Sequence, residues 1–455
     1  MSAGLLSRER IVAPPDWSRW LVPPAALAIH LSIGAVYAWS VFKSPLQETF
    51  GVSGVVSALP FTFGIVVLGL SAAVFGTAVD ARGPRWAMTV SALCYVGGLL
   101  VSALGAATGQ VWLIVLGYGV IGGVGLGIGY ISPVSTLMKW FPDRPGMATG
   151  FAIMGFGGGA LIASPWTNQL FGWFGTEAGG LAATFLVLAV TYAVLMALGV
   201  ALIRVPPEGW TPPATRTSDR PKRERPAGPD RTAAQAIRTR QFWLLWVVLC
   251  FNVTAGIGIL ERAAPIYSDF FPDAPSAAAL TAAAAGFVAI LSLANSAGRI
   301  AWSSLSDVLG RRNNYRIYLG GGALLYLVVV LLQDASKPLF LVASILVLSF
   351  YGAGFATAPA YLRDLFGTKQ VGAIHGRLLT AWSFAGVLGP VIVNAIADAR
   401  VEAGVEGPAR YTTAFVIMIV LLVVALVCNE LIRVPEPPAD ADADAVRATR
   451  TEAVR

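Results

Sequence analysis

The stretch SLANSAGRIAWSSLSDVLGRR, residues 292–312, decides how the chain is read. It is apolar at first, except for Asn295 and Arg299, and ends in a polar turn with Asp307, Gly310, Arg311 and Arg312. If the run is helical, Arg299 lies about 12 Å from that turn, at roughly 1.5 Å per residue. A guanidinium at that depth keeps its proton and is costly to hold in lipid, so it is expected to face a cavity and hold an anion. The plainer reading is an arginine that snorkels to the interface or pairs with a neighbouring helix.

The composition explains why lipid enters the argument. Of 455 residues, 56% are hydrophobic and 13% charged, against roughly a quarter charged in soluble domains. The charge falls between apolar runs of about 20 residues, the length that crosses a bilayer. Twelve spans are expected near 21–42, 55–79, 86–106, 111–137, 146–173, 181–203, 241–268, 278–304, 316–333, 338–362, 371–397 and 411–432. The fold class is therefore all-α membrane protein. Residues 1–20 form an N-terminal segment, 21–203 and 241–433 two six-helix bundles, and 204–240 a polar linker. The tail, 434–455, has the low-complexity composition of a disordered segment. The 49 glycines suit close helix packing in lipid.

Most of the 32 lysines and arginines lie on the N-terminal side of the spans. Only Lys43, Lys337, Arg400 and Arg410 fall in the opposite loops, and Arg262, Arg299 and Arg377 fall within spans. Positive charge marks the cytoplasmic side, so both termini are expected there, with no cleavable signal peptide. The net charge of +7 comes from these loops and is no sign of nucleic-acid binding. Cys94, Cys250 and Cys428 lie far apart, in or beside apolar runs, and read as packing residues.

The two bundles are related in sequence. Asp80-Ala-Arg82-Gly83-Pro-Arg85 follows the second span, and Asp307-Val-Leu-Gly310-Arg311-Arg312 follows the eighth. Pro133, Gly146 and Gly150 recur 226 positions later as Pro359, Gly372 and Gly376. A turn and three positions at one offset indicate a duplication, the plan of transporters that bind at the midplane between repeats. The turns put carboxylates and guanidiniums at the inner ends of adjacent helices. Asp80, Arg82, Arg85, Asp307, Arg311 and Arg312 are thus candidates for a gate that latches the halves and releases as they rock.

With these turns the chain resembles the major facilitator superfamily. Three stretches sharpen the resemblance: GAVYAWSVFKSPLQETFG (34–51), GYISPVSTLMKWFPDRPGMATGFAIMGFGGGALIASP (129–165) and GAIHGRLLTAWSFAGVLGP (372–390). They are similar to the oxalate:formate antiporter family, which includes bacterial relatives of the monocarboxylate transporters. The resemblance implies the major facilitator fold and a substrate carboxylate bound by Arg299. It also implies a pocket lined by Tyr37, Tyr130, Tyr351, Phe355 and Trp382. In the oxalate carrier a lysine of the eleventh span binds the second carboxylate. Trp382 stands at that place here, which counts against dicarboxylates. Asn295, one turn before Arg299, replaces the aspartate of animal monocarboxylate transporters. It either orients the guanidinium without neutralising it or serves as a helix-packing hydrogen bonder.

His30 is placed mid-span, as a proton carrier or as a buried neutral ring bonded to a carbonyl. Glu261, next to Arg262, carries a proton or joins an outer salt bridge. His375 and Arg377 read as interfacial groups. Gly117-Tyr-Gly119-Val-Ile-Gly122 has the spacing of a dinucleotide fingerprint, but it sits in an apolar span with no strand before it and reads as helix packing. The sequence shows no nucleotide-binding loop, metal-ligand cluster or nucleophile–base pair, so no cofactor, metal or catalytic residue is expected. The expectation is a carrier of the bacterial inner membrane for a small monocarboxylate anion such as lactate, pyruvate or formate. It works with a proton or, alternatively, as an oxalate:formate-type exchanger with a counter-anion. From another class, a membrane carboxylate sensor fits the same site.

Overall fold

A computed structural model describes residues 8–212, 228–273, 275–332 and 337–433. The 434–455 tail and much of the linker lie outside the described residues. Twelve helices are long and apolar enough to cross a membrane. They are α1 (Arg19–Phe50), α2 (Gly54–Arg82), α3 (Pro84–Ala107), α4 (Val111–Trp140), α5 (Pro145–Phe174) and α6 (Ala178–Leu202). The second six are α7 (Arg240–Leu260), α8 (Ala283–Leu309), α9 (Arg311–Leu331), α10 (Lys337–Phe366), α11 (Val371–Glu402) and α12 (Thr412–Leu431). Large apolar side chains such as Val74, Leu93, Val190, Leu331 and Val391 face outward, as a lipid-facing surface requires.

Several helices outrun the sequence estimate. Lys43, Lys337 and Arg400, expected in loops, lie inside the ends of α1, α10 and α11. The helices are also less regular than apolar length suggests. A tighter turn interrupts α1 at Ala35–Trp39, and wider π turns occupy Val115–Ile121 of α4 and Ile317–Gly321 of α9. The glycines of the dinucleotide lookalike lie in and beside the α4 segment, and Gly117 packs directly on Gly98 and Ser102 of α3. The packing reading of that stretch therefore holds.

The halves meet through two matched pairs, α5 with α8 and α2 with α11. The turns that end α2 and α8 share one backbone shape. Gly83 has φ 87° and Gly310 φ 97°, a region glycine enters without steric cost. At Gly150 on α5 an added Cβ would run into the Arg299 carbonyl and Ser303 of α8. At its repeat mate Gly376 on α11 it would run into the Ala72 carbonyl of α2. The glycines let the backbones of opposite halves touch.

Short segments before each half clasp its loops. Arg19 pairs with Asp143 in the α4–α5 loop at 2.9 Å. Ala13 N–H donates to the Val205 carbonyl and Val205 N–H to the Ile11 carbonyl, both at 2.9 Å. Ahead of the second half, Asp230 accepts from the Thr368 and Lys369 amides at 2.8 and 3.1 Å, and the Ala233 amide donates to Gln370 at 2.8 Å. Both described ends of the linker are thus tied to their own half.

Candidate functional site

Arg299 is fully buried where α8 meets α5. The room for it comes from Gly157 of α5, where a Cβ would lie 2.8 Å from the arginine Nε. Nε donates to Asn295 Oδ1 at 3.2 Å, and Nη1 donates across the interface to the Ile153 carbonyl at 3.1 Å. Nη2 is buried with no hydrogen-bond partner among the described residues. Asn295 thus meets the guanidinium with a neutral amide oxygen. An ionised donor left unmatched in the interior is costly, and a carboxylate is the ligand that matches its fork.

The expected aromatics gather around it. The Phe355 ring lies 5.5 Å beneath the guanidinium, and Trp382 packs on Phe355 with ring centroids 4.6 Å apart. Tyr351 packs edge-on against Phe355 at 5.3 Å, and its hydroxyl lies 3.5 Å from that of Tyr37. Tyr130 stands 5.5 Å from Trp382. Its hydroxyl and the Trp382 Nε1 are buried without partners among the described residues. All five aromatics and Asn295 are thus brought together with Arg299.

Phe156 is a member that the sequence reading missed. It packs edge-on against Tyr37, Tyr130 and Trp382 at 5.3, 5.1 and 5.3 Å. The signal was present, because Phe156 and Trp382 stand 226 positions apart. They are repeat mates that meet at the two-fold centre. His375 is a correction. It is buried at 1% exposure rather than interfacial, and its ring lies 5.8 Å from Tyr130. The cause is that α11 starts inside the protein, under Asp80. His30 is buried against the other side of Tyr130, 5.5 Å away, with Nε2 3.1 Å from the Tyr130 carbonyl. The Glu261 side chain lies outside the described residues. Arg262 beside it pairs with Asp398 at 2.9 Å.

The gate candidates divide. Asp307 accepts from the Gly146 and Met147 amides at the start of α5, both at 2.9 Å. Asp80 accepts from the Ala373 amide at the start of α11, at 2.7 Å. Each carboxylate sits at the positive end of a helix of the opposite half, where charge and open amides favour it. Arg311 bridges Asp307 at 2.8 Å and Asp364 of α10 at 3.2 Å. Arg312 turns instead to Glu430 of α12 in its own half, at 2.9 Å. Arg82 lies over Trp86 of α3 at 4.7 Å, and Arg85 is half-buried beside it at the start of α3. Bonds across the halves are thus made by Asp80 and Asp307, whereas Arg311 braces Asp307 from within its own half, and Arg82 and Arg312 also stay within their own halves in the contacts described.

Twelve spans in two matched halves, joined at helix ends and around a buried pocket, are the architecture of a membrane transporter. An outward-conformation crystal structure of the transporter FucP shares the fold, with a TM-score of 0.67 at 14% identity over 91% of this chain and 99% of that one. The Major Facilitator Superfamily profile matches residues 25–359 and 280–455, and the chain belongs to that family. It is a transporter and not an enzyme. Among curated relatives, the oxalate:formate antiporter of Oxalobacter formigenes is 26% identical over 84% of this chain and 85% of its own length. The apicoplast pyruvate carrier 1 of Toxoplasma gondii is 28% identical over 58% of this chain and 56% of its own. Mouse monocarboxylate transporter 11 is 30% identical over 36% of this chain and 37% of its own.

Proposed function

We propose that the protein carries a small monocarboxylate, of the lactate, pyruvate or formate kind, by alternating access. Arg299 binds the carboxylate, Asn295 orients it, and Tyr37, Tyr130, Tyr351, Phe355 and Trp382, joined by Phe156, size the pocket. The observation that carries this reading is the fully buried Arg299, whose hydrogen bonds go to an amide and a carbonyl and whose Nη2 has no partner among the described residues. The aromatic at 382 puts no cation at that place of the eleventh helix for a second carboxylate, which supports one carboxylate over two. Proton symport is the preferred coupling, because an anion with a proton leaves the loaded carrier as charged as the empty one. His30 and Glu261 are the sequence candidates for that proton. Full-length similarity to a relative named as an oxalate:formate antiporter supports anion exchange as the second reading. Asp80 and Asp307 serve as the latch, with Arg311 bracing Asp307, and the latched face is taken as cytoplasmic.

The test is uptake of labelled lactate, pyruvate and formate into liposomes holding the purified protein. Accumulation driven by an imposed pH gradient supports symport, and uptake that requires preloaded anion supports exchange. A protein that binds these acids in a thermal-shift screen but moves none of them acts as a sensor, and the transport reading fails.

A further inference from the structure

His30 on α1 and His375 on α11 belong to opposite halves, and both rings pack against Tyr130 of α4, at 5.5 and 5.8 Å. The three side chains are buried together. A carbonyl oxygen only accepts, so His30 Nε2 carries the hydrogen and donates to the Tyr130 carbonyl at 3.1 Å. In the neutral ring this fixes the tautomer and leaves the lone pair on Nδ1. That Nδ1, the His375 Nδ1 and the Tyr130 hydroxyl are all buried without a partner among the described residues. The matched place in the other half-to-half contact is filled differently. There Thr149 and Ala356, the repeat mates of His375 and Tyr130, are joined by a Thr149 hydroxyl donating to the Ala356 carbonyl at 2.7 Å. One side of the two-fold is a satisfied bond, and the other is a pair of bases against one tyrosine ring.

We propose that His30 and His375, both packed against Tyr130, share the coupling proton and take it up at an open imidazole Nδ1 while a carboxylate sits at Arg299. This rests on the monocarboxylate reading and adds a site to it. The proton enters from water on the open side, forms an N–H bond at Nδ1, and returns to water on the other side when that bond breaks. The empty carrier holds the charge of Arg299. The loaded one holds Arg299, a carboxylate and one imidazolium, which sum to the same charge. The groups facing the pair are Tyr130 from α4 and Arg299 from α8, the latter within electrostatic reach of His30. The Asp80 carboxylate of α2 takes the Ala373 amide two residues before His375. A bound carboxylate cancels the Arg299 charge that otherwise opposes an imidazolium nearby, so anion and proton favour each other.

The experiment is calorimetric titration of the full-length protein with L-lactate near pH 7, in two buffers of different ionisation heat. Wild type is expected to take up about one proton per lactate, and its lactate affinity to rise as pH falls. His375→Gln and His30→Gln are each expected to lose most of that uptake. Their pH-gradient-driven accumulation should fall at least about tenfold, since no proton then moves with the anion and the gradient no longer drives it. Lactate-for-lactate counterflow should remain measurable in both. Lactate binding by wild type without proton uptake, or a full proton retained by His375→Gln, overturns the proposal and leaves the Arg299 site standing. His375→Gln decides alone if His30→Gln, which loses a backbone bond, does not fold. Failure of wild type to bind lactate, pyruvate or formate overturns the underlying reading itself.

Discussion

The contact of α5 with α8 and the contact of α2 with α11 are one interface made twice, yet they hold opposite contents. In both, glycines at the same register bring backbones of opposite halves together, and an aspartate at the end of one helix meets the start of the other. In the first, Gly157 is the small partner and Arg299 with Asn295 the large ones. In the second, Gly69 and Ala73 stand in the repeat places of Asn295 and Arg299. The polar side chain is there Ser383, the repeat mate of Gly157, whose hydroxyl donates to the Ile65 and Val66 carbonyls at 3.1 Å. Duplication thus preserved the spacing and exchanged which side is bulky. A cation in the interior is costly. Holding it once, beside an interface that is otherwise neutral, gives a single anion one place to sit.

The comparison breaks most clearly at Arg299. Arg299→Ala should make the two interfaces alike and weaken lactate binding at least about a hundredfold, because the ligand's charge then goes unmatched in a buried site. Arg299→Lys should recover little, since the fork geometry is lost. Ligand-induced stabilisation that persists in Arg299→Ala removes the arginine from the site. The next test adds charge to the other interface. Wild type should prefer lactate over oxalate by about a hundredfold at pH 7.5, and Trp382→Lys should cut that preference by about tenfold or more. Competition of oxalate against labelled lactate reads both, and equal competition in wild type rejects the monocarboxylate assignment.

The latch should be unequal too. Asp307→Asn weakens two charged bonds to the start of α5 and should cost roughly 2 kcal/mol of latched state. Asp80→Asn weakens the bond to the Ala373 amide and should cost about 1 kcal/mol. Alkylation rates of a cysteine placed beneath the latch measure the two, and equal rates would show that the second amide bond of Asp307 adds nothing. The smallest difference concerns the shared part. Gly150→Ala and Gly376→Ala should destabilise the latched state by similar amounts, about 1–3 kcal/mol each. A tenfold disparity between them in the same assay would mean that the two backbone contacts are not equivalent.

Much of this was legible in the chain. Apolar length and charge placement fix twelve spans, and the 226-residue offset exposes the halves. Arg299 stands out because depth along a helix is countable from its turn. What escaped depends on which helices meet. Arg312 reads like Arg311 in sequence, but one faces α12 and the other α10, and periodicity does not encode that choice. His375 looked interfacial because it lies near a loop. The start of α11 is covered by Asp80 of the opposite half, so nearness to the helix end did not mean nearness to water. Phe156 was within reach, since the offset that matched three glycine and proline positions also pairs it with Trp382.

The clasps at residues 11–13 with 205 and 228–233 with 363–370 have a consequence for how the polypeptide can be made. Each half carries its own anchor on its own side of residues 213–227. Covalent continuity through that stretch is then dispensable once both halves are in the bilayer. Two separately translated pieces, cut within it and co-expressed, should associate through the α5–α8 and α2–α11 contacts and regain lactate transport. A cut between residues 11 and 19 would instead strand one strand of the Ile11–Val205 pairing and cost the first half its clasp.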